Sequence, residues 1–251
     1  MRTTLVVLLF CLLGLFSACS QKESTATPPA ETKPEVKVDP TTAGSISGVV
    51  HFQGTAPKQQ KIDMTQDPAC GNGPNYDESL VVNNGNLANV FVFVKSGLFY
   101  DVVGPNPPGR VVITQKGCRY EPHVSAARVG QRIEIVNADD TTHNIHPMPT
   151  ASKQWNESQL PKAEPIVKTF NKPELMIPIK CNQHAWMRMY LNVVENPFFA
   201  VSGPDGTFEI NGLPPGEYTL AAVHEKLGEQ DIKVTVGPKE TKSAEFTFRA
   251  Q

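Results

Sequence analysis

The chain has 251 residues, with 23 basic against 25 acidic side chains and a formal net charge of −2. That balance excludes a polybasic nucleic-acid binder and a polybasic membrane patch. Its 22 prolines and 18 glycines punctuate short apolar runs, and no segment sustains a 3.6-residue apolar period over helical length.

Residues 1–18 read as a signal peptide. Arg2 is the basic end, Leu5 to Phe16 the apolar run, and Ser17 and Ala18 the small residues before a cleavage point. The run is too short for a membrane span, which takes about 20 residues. Phe16–Ser17–Ala18–Cys19 resembles a lipoprotein box, which implies lipidation of Cys19 as the new N-terminus; the alternative is simple secretion with cleavage near Ala18. Either route exports the chain. Lipidation implies a membrane partner reached through the lipid, on the periplasmic side of a bacterial envelope and at the outer membrane rather than the inner.

Residues 19–43 hold the lipidated Cys and a linker of Pro, Thr, Glu and Lys. Such a stretch cannot bury enough apolar surface to offset its ordering entropy, so a disordered tether is expected. From Gly44 onward the pattern is β. In 44–109, Ile46–Ser47–Gly48–Val49–Val50 alternates and Val90–Phe91–Val92–Phe93–Val94 is a continuous apolar strand.

The region 110–195 carries the chemistry. His143 lies in His143–Asn144–Ile145–His146, and Cys181, His184 and Met187 fall in Cys181–Asn182–Gln183–His184–Ala185–Trp186–Met187. Two imidazoles, a thiolate and a thioether are the donor set of a blue-copper electron-transfer site. The two motifs, with Val129 to Asn137 ahead of them, resemble the cupredoxins, and the amicyanins most closely. Ala185 stands where that family has Pro, and Leu175–Lys180 departs from its usual Gly-x-Tyr approach to the Cys.

The resemblance implies a cupredoxin Greek-key sandwich with one mononuclear type 1 copper on His143, Cys181, His184 and axial Met187. Plastocyanin-like spacing would instead place Met189 in the axial position. It further implies that the His184 ring edge faces solvent within an apolar patch, with Trp186 part of that patch and of the electron's exit. His146 is expected beside the site rather than as a ligand. His51, His123 and His224 are expected as packed or surface residues, and Asp139 and Asp140 as shapers of the ligand loop.

With Cys11 leaving in the signal, Cys19 carrying lipid and Cys181 on copper, Cys70 and Cys118 remain of five cysteines. In an exported protein two such thiols pair as a disulfide; two separate buried thiols are the alternative.

In 196–251, Gly203–Pro204–Asp205–Gly206 marks a hairpin and Pro214–Pro215–Gly216 the next turn. The segment Gly203–Tyr218 resembles the carboxypeptidase regulatory-like modules, similar to the transthyretin-like accessory modules of rhamnogalacturonan lyases. An Ig/transthyretin-like second sandwich is implied. Residues 44–109 fit either as its first strands, with the copper domain inserted between, or as an elaboration of a cupredoxin in serial order. The expected fold class is all-β, two small sandwiches.

The sequence has no paired H-x-H motifs for a multicopper oxidase, no C-x-x-x-C for a binuclear copper centre and no H-E-x-x-H. The expectation is therefore not an enzyme but a tethered carrier of single electrons between a redox donor and acceptor protein. The alternatives are a carbohydrate- or protein-binding surface lipoprotein without a redox role, and a copper storage or delivery protein.

Overall fold

The computed structural model describes residues 35–71, 73, 75–99, 101–102 and 110–250. The signal segment and Cys19 lie outside the described residues. Among the described residues twenty strands and one short 3-10 turn are formed, so the expected all-β class is what the structure has.

In chain order the first strands are β1 (Glu35–Val36), β2 (Gly44–Gln53), β3 (Val82–Asn83), β4 (Asn86–Leu87), β5 (Phe91–Ser96) and β6 (Asp101–Val102). Next come β7 (Val111–Gln115), β8 (Tyr120–Glu121), β9 (Val124–Arg128), β10 (Ile133–Asn137), β11 (His143–Pro147), β12 (Glu157–Gln159), β13 (Ile166–Lys168), β14 (Glu174–Lys180) and β15 (Arg188–Val194). The last are β16 (Phe199–Val201), β17 (Thr207–Leu213), β18 (Gly216–His224), β19 (Gly228–Val236) and β20 (Thr241–Arg249).

Strands β7 to β15 make one pair of sheets, ordered β13-β10-β7-β8 and β12-β11-β14-β15-β9. Ile133 and Ile135 on β10, Ile177 and Ile179 on β14, and Met189, Leu191 and Val193 on β15 alternate into the core between them. Each such side chain contributes about 1.5–3 kcal/mol on full burial. The flanking strands pair with one another in a second pair of sheets, ordered β16-β5-β18-β19 and β17-β2-β4-β3, with β20 parallel to β2. Gly48 is required there: a Cβ would lie 1.7 Å from the Ala244 carbonyl oxygen on β20. Gly206, at φ +77°, makes the turn that the Asp–Gly pair foretold, but the strands it joins, β16 and β17, lie in different sheets, so the expected hairpin is instead a crossover between sheets.

The apolar run of β5 has a two-sided explanation. Val92 and Val94 face the core of the flanking sandwich. Phe91 and Phe93 face the other way, packing with Ala221 and Val223 of β18 against Val124 and Val194.

One expectation is corrected. The tether reads as disordered to Ala43, yet β1 pairs in parallel with β6, and Val38 packs on the flanking core. Asp39 closes a turn by accepting the Thr41 and Ala43 amides on its side chain and carbonyl. A single apolar anchor and one Asx turn suffice to order these residues, a signal that composition averages away.

Candidate metal centre

Three strand ends meet at one end of the five-stranded sheet. β11 begins at His143, β14 ends just before Cys181, and β15 begins just after Met187. The intervening loop is tight: the Met187 amide donates to the His184 carbonyl at 2.9 Å, and the Cys181 amide donates to the Met187 carbonyl at 3.1 Å. The β11–β14 register, His146 opposite Lys180, sets Asn144 across from Asn182. The Asn144 Oδ1 accepts the Asn182 amide at 2.7 Å and the Cys181 thiol at 3.3 Å. Its Nδ2 donates to Asn156 Oδ1 at 2.6 Å.

The structure brings His143, Cys181 and His184 together, with one donor atom from each lying within 4.8 Å of the others. All three are buried, His143 completely. His143 Nδ1 is 2.9 Å from His184 Nδ1, which is 3.8 Å from the Cys181 sulfur.

The outer nitrogens are also fixed. His143 Nε2 lies 2.8 Å from Asp139 Oδ2, and His184 Nε2 lies 3.0 Å from Asp67 Oδ2. A carboxylate only accepts, so each Nε2 carries a proton, and the neutral tautomer of each ring then turns an unprotonated Nδ1 inward. In that tautomer two lone pairs and the Cys181 sulfur converge, the thiol proton being directed to Asn144 Oδ1. That is a cation's donor set, and carboxylate–histidine pairs of this kind orient metal ligands. Burial holds the His143 pKa below its ordinary value despite the opposing effect of Asp139. The Tyr120 hydroxyl donates to the Asn144 carbonyl at 2.5 Å, and burial, then the charge of Cys181, raises its pKa.

Met187 is buried in the same core and lies directly across the extended β14–β15 ladder from Cys181. Opposed residues project to the same face, with Cβ atoms about 4.5–5.5 Å apart. Met189 pairs with Ile179, two residues deeper, about 6–7 Å further along the strand. The ladder therefore favours Met187 over Met189 as the neighbour of the Cys181 sulfur.

Cys70 and Cys118 form a disulfide, leaving Cys181 free and buried among the described residues. His146 is half-buried and donates from Nδ1 to Asn182 Oδ1 at 3.1 Å, outside the cluster. His51 meets Asn86, His123 meets Glu225, and His224 is buried in the flanking sandwich. Asp140 is exposed on Lys162. Asp139 does more than shape the loop, since its carboxylate accepts the Gly117 and Cys118 amides as well as His143.

The expected solvent-facing edge of His184 is not there. The residue is 4% exposed. Its outer nitrogen is covered by Asp67, which caps a 3-10 turn, Pro68–Cys70, and accepts from Ala69 N and Thr141 Oγ1. Those hydrogen bonds, the Ala69 amide first, hold the Asp67 pKa below its usual value. The covering loop comes from far upstream, with Met64 and Cys70 packed into the core of the metal sandwich. Trp186 is partly buried rather than the centre of an open apolar patch. Its ring centroid is 5.2 Å from that of His184, and its Nε1 donates to the Cys118 carbonyl at 3.0 Å. Sequence reading missed Asp67 and Asn144. Asn144 sat inside the ligand motif and could have been found there, whereas Asp67 had only its nearness to Cys70.

No family model matches this chain, and no curated protein does. Among solved structures it is similar to the Cu-containing nitrite reductase NirK from Thermus scotoductus SA-01, at 22% identity and a TM-score of 0.32, over 41% of this chain and 25% of that one. It is similar to a purple cupredoxin from Nitrosopumilus maritimus at 19% identity and a TM-score of 0.29, over 33% of this chain and 98% of that one. An oxidised amicyanin variant gives 18% identity and a TM-score of 0.31, over 41% of this chain and 97% of that one. The chain thus spans a quarter of the nitrite reductase's length, and likenesses this low tie no activity to it.

Proposed function

We propose that the chain is a membrane-tethered, extracytoplasmic carrier of single electrons, built on one type 1 copper held by His143, Cys181 and His184 with Met187 as axial ligand. The observation that carries this reading is the convergence of two inward Nδ1 atoms and one thiol sulfur, each ring pinned by its own carboxylate. Copper bound by such a set cycles between its two oxidation states with a potential tuned by the weak axial ligand and the surroundings of the sulfur.

The chain's own residues do the rest. Asp139 and Asp67 fix the tautomers, Asn144 ties the thiol's loop to β11, and burial excludes water. That burial keeps His143, Cys181 and His184 from direct contact with a substrate, which favours electron transfer over catalysis. With His184 covered, the proposed route outward runs through Trp186, which lines a cleft of about 460 Å³ with Tyr76, Arg119, Arg188 and Tyr190. A redox protein donor and acceptor would meet the domain there. Cys19 would supply the lipid anchor on the periplasmic side, and the flanking sandwich would be the scaffold in which the copper domain is inserted.

The test is the visible spectrum of the Cu(II)-loaded protein. An intense thiolate-to-copper charge-transfer band is expected, and Cys181→Ser should abolish it because a hydroxyl replaces the soft donor. Stoichiometric Cu(II) uptake without that band in the intact protein would refute the type 1 assignment.

A further inference from the structure

The two carboxylates that hold the histidine rings are joined through the disulfide. Asp139 binds His143 and also the amides of Gly117 and Cys118. Cys118 is bonded to Cys70. Cys70 closes the single turn that Asp67 opens, its amide donating to the Asp67 carbonyl at 2.9 Å. Asp67 then reaches His184 Nε2 at 3.0 Å. The Cys70 sulfur itself lies 3.7 Å from that nitrogen.

We propose that Asp67 is a positioning residue of the metal centre, and that the Cys70–Cys118 disulfide delivers it to His184; this rests on the copper reading above. Asp67 is distant in sequence from His184 and lies on a segment with little regular structure of its own. Among its described residues between Gln53 and Val82 that segment has one short 3-10 turn and an isolated bridge between Lys61 and Tyr76. A segment with so little ladder pairing, held by Met64 and Cys70 in the core, opens more readily than the sheets do. A covalent bond three residues from the carboxylate removes that freedom. The carboxylate in turn keeps the His184 proton on Nε2, so that Nδ1 is free to donate a lone pair to the metal. The disulfide therefore acts on the metal site through one hydrogen bond, without supplying a ligand.

The experiment compares Asp67→Asn, the disulfide-free Cys70→Ala/Cys118→Ala protein and the combined triple variant in the full-length chain. Cu(II) affinity is measured by competition with a chelator. Ring ¹⁵N shifts of His184 are measured separately in metal-free protein, where they report the tautomer. Asp67→Asn keeps an oxygen for the Ala69 amide but can present an N–H to the ring, which drives the proton to Nδ1. A loss of about 10–100-fold in Cu(II) affinity is expected, the range for carboxylates behind metal-bound histidines. The disulfide-free protein should lose a comparable factor, and the triple variant no more than either, because both changes break the same contact.

A Nε2–H signal in the intact protein that moves to Nδ1–H in Asp67→Asn supports the role independently of copper. Tight Cu(II) binding that Asp67→Asn leaves within about two-fold, or a triple variant whose loss is the product of the two, overturns it. Intact protein that takes up no Cu(II) overturns the copper reading itself, which is a separable failure.

Discussion

Asn144 offers the sharpest test of how the ligand loop is held. Its side chain is 3% exposed and makes three contacts: it accepts from the Asn182 amide at 2.7 Å and the Cys181 thiol at 3.3 Å, and donates to Asn156 at 2.6 Å. Asn144→Ala removes all three and brings nothing in return. The Asn182 amide is left part-buried without its acceptor, which costs about 1–3 kcal/mol. Asn156 is exposed and can turn to water, so its lost partner adds only about 0.5–1 kcal/mol. The thiol is a weak donor and adds little. The expected destabilisation is therefore about 1.5–4 kcal/mol, a shift of roughly 12- to 700-fold in the unfolding equilibrium. The assay is urea unfolding of the metal-free, disulfide-intact protein, reading the midpoint at constant m. Asn144→Asp is the comparison, since it keeps oxygens for Asn182 and Cys181 but buries a carboxyl group in place of the amide. A loss below about 0.5 kcal/mol for Asn144→Ala, within the range of ordinary surface changes, would refute the reasoning and show that the loop is held by its own turn.

On the proposed copper reading, Met187→Leu should retain the visible band and raise the reduction potential, because only the proposed weak axial bond would be lost, while Met189→Leu should do much less. Voltammetry of the two variants checks this, and an exchange of behaviours would give the axial role to Met189. The buried His224 supplies a pH dependence. Burial, outweighing the opposing charge of Glu225, holds its pKa at about 4 against an ordinary 6.5, and its Nε2 has no hydrogen-bond partner among the described residues. Below pH 6.5 the unfolded chain takes up a proton that the folded ring refuses. Stability is thus full above about pH 6.5 and falls until about pH 4, by roughly 3 kcal/mol. His224→Gln should flatten that part of the urea-midpoint profile between pH 7 and 4, and an unchanged profile would count against the buried neutral ring.

What was legible in the sequence was whatever short spacing encodes. Cys181, His184 and Met187 sit in one loop of seven residues, so a single tight turn brings them together wherever the domain lies. Alternation in Ile133–Asn137 and the Asp205–Gly206 pair specified a local strand and a local turn for the same reason: period and turn chemistry act over a few residues. His143 was legible only because its own local motif is distinctive. The tertiary structure alone decided which strands share a sheet, since β2 and β5 pair with strands that follow β15. It alone decided that His184 is covered, because the covering Asp67 arrives from a segment whose local sequence shows turn formers and no ligand pattern. Hydrogen-bond partners 117 residues apart are chosen by how surfaces close on one another. That choice is made by packing and a covalent bond between distant cysteines, and no local periodicity carries it.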